Sequence, residues 1–254
     1  MTRAVCLAVI GVALVTGTRM VSAEPITLDY LKQIAGRFSY FSILEKEGEE
    51  PLRYIYADTR QHVHLYTVNK DRAVLEWESV ELGSRASALI VTDLDKEGGK
   101  EIVITTTQGR ILIYDSRSHD LLWENLQDPF DTIECMAAQN IDRDPQDELI
   151  FIANSFLYIY DSVYKTIEWQ SQRNFSAKEI ILANVDNDPQ LEIILNTGFI
   201  IDSRFYNVEH EFEEGFGDRV RLLDINGDDI PEILGETTDF TVRIYDVYAE
   251  REQW

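Results

Sequence analysis

The stretch Asn184-Val-Asp-Asn-Asp-Pro-Gln-Leu-Glu192-Ile-Ile decides the fold, because it recurs along the chain. It places side-chain oxygens at positions 1, 3, 5 and 9 of an acidic loop and then continues directly into an apolar run. Further copies begin at Asp93, Asn140 and Asp224, so the loop starts lie 47, 44 and 40 residues apart. Four copies in one phase indicate a repeat protein whose repeats share one chemistry.

Short apolar segments of strand length follow each loop in the same order. After the first full loop the sequence gives an apolar run at 101–107, a turn at Gln108-Gly109, a second run at 110–116 and a third at 121–124. Another apolar segment precedes each loop, so each repeat contains four β-branched and aromatic runs bounded by turn residues. Four strands in each 40 to 48 residues are typical of β-propeller blades.

We therefore predict an all-β, five-bladed β-propeller of four-stranded blades, with the acidic loops between the first and second strands. The predicted blades cover residues 37–82, 85–130, 131–175, 176–214 and 217–254. An aromatic residue ends each repeat at a nearly constant distance from its loop: Trp77, Trp123, Trp169, Phe212 and Trp254. A closed monomeric ring is the favoured arrangement; the alternative is an open or partial ring that completes itself by dimerising.

The first repeat carries a degenerate loop. Acids stand at Glu45, Glu47 and Glu49, but position 9 is Arg53. An arginine at that position can neutralise the acids in place of a metal. We expect this site to hold no ion.

The first 36 residues stand outside the repeats. Residues 1–23 combine Arg3, a short apolar stretch and a small-residue cleavage site that ends at Ala23, a pattern typical of a secretory signal peptide. The apolar stretch is shorter than the roughly 20 residues that span a bilayer. We expect cleavage after Ala23, a secreted or periplasmic protein without membrane insertion, and an N-terminal extension at 24–36.

The charge balance limits the partners. The chain has 46 acidic and 23 basic residues, for a formal net charge of −23. Such a surface repels nucleic-acid phosphates and anionic lipids. The expected partner is an extracytoplasmic protein or glycan, and bound divalent cations would offset part of the charge.

The loop chemistry favours calcium. Calcium takes six to eight hard oxygen ligands and tolerates irregular geometry, and alternate positions of a tight loop direct several oxygens at one centre. The four full loops contain no His or Cys, which excludes a typical zinc site. An EF-hand is excluded because position 12 lacks the required glutamate. The alternative is that these Asp and Asn side chains only form turns by bonding their own backbone.

The loop pattern resembles the FG-GAP/VCBS repeat family, the calcium-loop β-propellers that include integrin α-subunit head domains; this chain is similar to a secreted bacterial-type member. The departures are Pro145 and Pro189 in place of the usual glycine, and Glu97 in place of a shorter acid. The resemblance implies about four structural Ca²⁺ sites. It implies these ligands: Asp93, Asp95, Glu97, Glu101, Asn140, Asp142, Asp144, Glu148, Asn184, Asp186, Asp188, Glu192, Asp224, Asn226, Asp228 and Glu232.

Two function classes fit the sequence. The first is a calcium-stabilised, non-enzymatic binding or scaffold module for protein or glycan. The second is a secreted carbohydrate-active enzyme, either a glycoside hydrolase or a lyase, because five-bladed propellers include enzymes that use paired carboxylates. Its candidate acids outside the loops are Asp58, Asp115, Asp161, Asp202 and Asp246. The last four recur at one position in successive repeats, which favours an architectural role and a non-enzymatic protein.

The remaining polar candidates are a cysteine and four histidines. Cys135 lies in an apolar run and is predicted to be a buried structural thiol. His62 and His64 alternate along one strand and are interpreted as a partly exposed edge pair, with a shared metal as the alternative. His119 and His210 are predicted to lie in polar turns.

Overall fold

The computed structural model describes residues 38–44, 51–69, 72–95, 99–126, 130–142, 144–236 and 241–252. The predicted signal peptide, the extension at 24–36, the degenerate loop acids, Glu97 and Trp254 lie outside these residues. Residues 37–254 form one compact unit.

The described chain consists of twenty strands in five antiparallel sheets of four. In each sheet the strands pair in chain order, so every sheet is a simple meander. The strands of blade one are β1 (Phe38–Leu44), β2 (Leu52–Asp58), β3 (Val63–Asn69) and β4 (Arg72–Glu78). Those of blade two are β5 (Ala86–Thr92), β6 (Glu101–Thr106), β7 (Ile111–Asp115) and β8 (Leu121–Glu124). Those of blade three are β9 (Ile133–Gln139), β10 (Glu148–Ala153), β11 (Phe156–Asp161) and β12 (Thr166–Gln170). Those of blade four are β13 (Ile180–Ala183), β14 (Glu192–Leu195), β15 (Phe199–Asp202) and β16 (Val208–Glu211). Those of blade five are β17 (Val220–Leu223), β18 (Glu232–Glu236), β19 (Val242–Asp246) and β20 (Arg251–Glu252).

The blades are arranged radially. The first strands of blades one to four contact one another in order, which places them innermost. Burial is greatest in the second strands: every residue of β6 and of β10 is buried. The fourth strands β8 and β12 are half-buried or exposed. Strands packed on both faces need apolar residues at every position, which explains the unbroken apolar runs after the acidic loops. The predicted all-β architecture of five four-stranded blades is thus confirmed, and it is consistent with a five-bladed propeller.

Consecutive blades are joined by clusters of buried side chains. Each of four such clusters lies between two successive blades, from one–two to four–five. In the described residues no such cluster joins blade five to blade one. Ile43 of β1 and Leu223 of β17, in the first strands of these two blades, are 54% and 56% exposed.

Aromatic pairs cross the same four junctions. An aromatic ring in the outer strand of one blade, or directly after it, packs against a tyrosine of the next blade. The ring centroids are 4.7 to 5.1 Å apart. The pairs are Trp77–Tyr114, Trp123–Tyr160, Trp169–Tyr206 and Phe212–Tyr245. The four repeat-ending aromatics within the described residues are therefore inter-blade contacts, which stabilise beyond their buried area.

Candidate metal centres

The four full acidic loops connect the first and second strands of blades two to five. The glutamate at loop position 9 is the first residue of the second strand in each case, and each of these side chains is buried. The other described residues of each loop lie outside the named strands. The apolar strand therefore anchors one buried carboxylate beneath the turn.

One oxygen of each glutamate has the same backbone partner, the amide of loop position 2. The donor–acceptor distances are 2.7, 2.9, 2.7 and 2.7 Å along the chain. The pairs are Leu94–Glu101, Ile141–Glu148, Val185–Glu192 and Ile225–Glu232. This bond fixes the carboxylate through one of its two oxygens.

That second oxygen has no donor in the third full loop. Glu192 is 1% exposed, and its Oε1 meets no hydrogen-bond donor among the described residues. A buried polar atom without a partner costs about 1 to 3 kcal/mol, and more when it is charged. The site fits a cation, because a bound ion would give this buried oxygen the partner that the described residues do not supply.

Burial and neighbouring acids alter the protonation of three of the glutamates. Burial raises the pKa of Glu101 and of Glu148 to about 7 and that of Glu192 to about 8. The bond from the backbone amide opposes the shift, and the repulsion of the loop aspartates adds to it. These carboxylates are therefore costly to ionise unless a positive charge is present.

Carboxylate oxygens converge in three of the loops. In each group one oxygen from every member lies within 4.8 Å of the others. The groups are Asp93, Asp95 and Glu101; Asp142, Asp144 and Glu148; and Asp186, Glu192 and Glu209. Hard oxygen donors at this separation are suited to calcium. Glu209 is the one member that does not come from the loop pattern.

The loop side chains also bond their own backbone, as the turn-forming alternative predicts. Asp142 Oδ1 accepts from Asp144 N at 2.7 Å, and Asp144 Oδ1 accepts from Gln146 N at 2.9 Å. Asp186 and Asp188 make the equivalent bonds in the next loop at 2.8 and 2.7 Å. Each bond uses one oxygen of its carboxylate. Turn formation therefore leaves an oxygen for a cation.

The two loop asparagines at position 1 bond to the backbone of position 5. Asn140 Nδ2 donates to the carbonyl of Asp144, and Asn184 Nδ2 donates to that of Asp188. These contacts close the loop across positions 1 and 5.

The fourth full loop differs from the others. Asn226 Nδ2 donates to Glu232 Oε1 at 2.6 Å, so both oxygens of this glutamate have partners. Asp224 accepts from Gly227 N at 2.7 Å and from Asp229 N at 3.0 Å, and Asp228 accepts from Ile230 N at 3.0 Å. This loop satisfies most of its own polar groups.

Arg53, predicted to neutralise the degenerate loop, reaches the next blade. Its Nη1 donates to the carbonyl of Ser116 at 2.9 Å and to Glu76 Oε1 at 3.3 Å. The guanidinium therefore joins blades one and two.

Four of the five aspartates considered for catalysis form turns between the third and fourth strands. Each accepts a bond from a backbone amide two or three residues on: Arg117 N at 2.8 Å, Tyr164 N at 2.7 Å, Arg204 N at 3.0 Å and Ala249 N at 2.9 Å. The acceptors are Asp115, Asp161, Asp202 and Asp246. Their recurrence thus reflects the connection between the third and fourth strands.

Two of the histidine predictions need correction, whereas His119 lies in the connection between β7 and β8 as predicted. His64 lies in β3, between β2 and β4, so it does not belong to an edge strand. Its ring bridges two acids, with Nε2 3.0 Å from Asp58 Oδ2 and Nδ1 3.2 Å from Glu78 Oε2. His210 lies in β16 and not in a turn, because that repeat's outer strand extends past it.

The cysteine prediction is confirmed. Cys135 is buried on β9, and its Sγ donates to the carbonyl of Ala177 at 3.4 Å. Burial raises the pKa of its thiol to about 12, with a further contribution from Glu134. The group is therefore a core side chain.

A cavity of about 820 Å³ lies between the outer strands of blades two and three. Its apolar lining is formed mainly by five side chains: Trp123, Leu126, Phe130, Tyr158 and Ile167. Polar groups at its rim include Asn125, Asn154, Lys165 and Gln170. We call this cavity the blade two–three groove.

No protein-family model matches the sequence, and no curated protein matches it either. Solved structures with the same architecture are β-propellers. Sqt1 from Saccharomyces cerevisiae superposes with a TM-score of 0.62 at 14% identity, over 85% of this chain and 60% of that chain. BBS1N, solved in complex with ARL6DN, gives a TM-score of 0.60 at 13% identity, over 86% and 68%.

BamB from Moraxella catarrhalis gives a TM-score of 0.54 at 14% identity, over 80% of this chain and 57% of that chain. The chain thus spans about three fifths of the length of Sqt1 and BamB. These likenesses concern the fold. The described part of the chain contains no helix with the length and apolar character that crossing a bilayer requires.

Proposed function

We propose that the protein is a secreted or periplasmic, calcium-stabilised β-propeller that acts as a non-enzymatic scaffold and binds another extracytoplasmic protein. The signal-peptide pattern at 1–23 supports the location. The observation that carries the binding role is the blade two–three groove. Concave, mainly apolar surfaces with a few polar groups are the usual form of a binding site.

The composition of the groove suits a protein segment. Aromatic residues such as Trp123 and Tyr158 are enriched at the centres of protein interfaces, where they contribute most of the binding energy. Leu126 and Ile167 are 60% and 42% exposed at its edge. BBS1N, whose fold is similar, was solved with a protein partner.

A hydrolase centre has less support. Glycoside hydrolysis uses two carboxylates that flank the scissile bond. Glu124 is the one carboxylate among the described residues that line the groove, and Arg110 bonds it at 3.0 Å. The four aspartates that recur outside the loops form turns.

Calcium has a structural role in this proposal. At each of three loops a separate group of carboxylate oxygens converges. One of these groups contains the unpartnered Glu192 Oε1. A site with an affinity of about 0.1 mM in about 1 mM calcium stabilises the fold by about 1.4 kcal/mol. The fourth loop, with its Asn226–Glu232 bond, is expected to be the weakest of the four predicted sites.

The binding proposal is tested by affinity capture from the extracytoplasmic fraction with three forms of the mature chain. The double variant Ile167→Arg with Leu126→Arg alters the groove, and Val80→Arg, at a residue 64% exposed on blade one, is the matched control. We expect wild type and control to retain the same protein and the groove variant to lose it. Equal capture by all three forms, binding confined to a glycan array, or turnover of a polysaccharide would contradict the proposal.

A further inference from the structure

We propose that Glu209, on the outermost strand of blade four, is a cation ligand of the loop that joins β13 to β14. An ion held there would connect the outer edge of the blade to its innermost loop. This inference rests on the proposed binding of calcium by the loops. It adds a residue that lies outside the repeated loop pattern.

The antiparallel meander brings Glu209 to the loop. Glu192, the first residue of β14, pairs with Asp202 at the end of β15. The next turn returns the chain to β16, where Val208 pairs with Ile201. Oxygens of Glu209, Glu192 and Asp186 consequently lie within 4.8 Å of one another.

A second observation indicates a ligand at this point. Glu192 is more than nine-tenths buried, and its Oε1 has no hydrogen-bond donor among the described residues, although two other carboxylates are close. When all three are ionised, acids at this separation repel one another, and the buried Glu192 has the least water to screen that repulsion. A divalent cation coordinated by all three would remove both the repulsion and the missing bond.

The other blades provide internal comparisons. By strand pairing, Trp123, Trp169 and His210 occupy equivalent positions, so the residue before each one is also equivalent. That residue is Leu122 in blade two, Glu168 in blade three and Glu209 in blade four. Leucine cannot bind a cation, and Glu168 is absent from the converged group of its own loop.

The ligand set of this site differs from that of the other two carboxylate groups. Its three carboxylates come from a loop, a second strand and an outer strand, and Asp188, at loop position 5, is not among them. Hard divalent cations, Ca²⁺ in particular, bind such anionic oxygen sets. Because the ligands span the blade, binding should slow the opening of β16.

The test is hydrogen exchange of the mature chain, followed by mass spectrometry with calcium or with EGTA. The informative variant is Glu209→Gln, at an exposed position where folding should be preserved. The controls are Glu211→Gln on the same strand, which pairs with Arg173, and Glu168→Gln in blade three. We expect calcium to slow exchange at 204–212 at least about tenfold in wild type and controls, but not in Glu209→Gln.

Two results overturn the inference and remain distinguishable. If calcium protects the loops at 93–101 and 140–148 while the protection of β16 survives Glu209→Gln, Glu209 is not a ligand and calcium binding stands. If calcium protects no loop of the wild-type protein, the calcium part of the proposed function fails as well.

Discussion

Glu192 and Val185 define the form of the loop sites: the Val185 amide donates to Glu192 Oε2 at 2.7 Å, while Oε1 of the same carboxylate has no donor among the described residues. The bonded oxygen fixes the side chain beneath the loop. The other is available to an ion. One carboxylate therefore has a structural role and a proposed ligand role, and these can be separated by experiment.

The substitution Glu192→Gln separates the two roles. The amide oxygen of glutamine can still accept from Val185, and the buried charge is removed. We expect the variant to be less stable than wild type in calcium, by about 1 kcal/mol or more, and no less stable in EGTA. Urea unfolding under both conditions measures this, and an equal loss in both would show that Glu192 has only a packing role.

Glu232→Gln is the matched comparison in the fourth loop. Its Oε1 accepts from Asn226 at 2.6 Å, and a glutamine placed there loses one of its two acceptor bonds. We expect a loss of about 1 kcal/mol in EGTA and nearly the same loss in calcium. A loss confined to calcium would mean that this loop binds the ion as strongly as the others.

The raised pKa values predict an unusual pH dependence in the absence of metal. Glu101, Glu148 and Glu192 bind protons more tightly in the folded state, with pKa values of about 7, 7 and 8, than at their ordinary value of 4.5. Their stabilising contribution is complete below about pH 4.5 and is lost as the pH rises through 7 and 8. In EGTA, the melting temperature should therefore fall between pH 5.5 and pH 8.5.

Calcium should reverse this trend, because the ion binds the deprotonated carboxylates. Glu192→Gln should reduce the slope in EGTA, since one of the three groups no longer titrates. A melting temperature that rises with pH in EGTA would contradict the electrostatic description of the loops.

Cys135 should be unreactive in the folded protein. Burial raises its pKa to about 12, so almost no thiolate exists at pH 8, and the side chain is not exposed to reagent. A disulfide-exchange reagent should label it fully in urea and negligibly in buffer over the same period. Rapid labelling of the native protein would place this part of β9 at the surface.

Gly109 is predicted to be irreplaceable at its turn. Its φ is +78°, and an added Cβ would lie 1.6 Å from the carbonyl oxygen of Phe130. Gly83, with φ +81°, is the control, because the nearest atom to its Cβ would be Arg110 Nη1 at 4.0 Å. Gly109→Ala should cost about 3 kcal/mol or more, and Gly83→Ala about 1 to 2 kcal/mol. Similar costs in urea unfolding would show that the turn can move away from Phe130.

Much of the fold was predictable because the same order of acidic loop and apolar runs recurs in successive repeats. The wholly apolar run from Leu149 to Ala153, directly after an acidic loop, is typical of a strand buried on both faces. The recurring Trp123 and Trp169 fix the length of each blade. The buried position of the loop glutamates also follows, because Glu148 opens such a strand.

The rest depends on contacts between distant strands. Glu209 follows Glu192 by two strands, and only the sheet register brings their carboxylates together. The Asn226–Glu232 bond arises because this one loop has an amide at position 3 and can satisfy its glutamate internally.

The central claim is that calcium stabilises this propeller through its acidic loops. The most direct measurement is the melting temperature of the purified mature chain with 1 mM free calcium, with 1 mM magnesium, and with EGTA. Three occupied sites contribute about 4 kcal/mol, so calcium should raise the melting temperature by about 8 to 16 °C over EGTA, and magnesium should raise it far less. Melting temperatures that agree within error with calcium and with EGTA would contradict the claim.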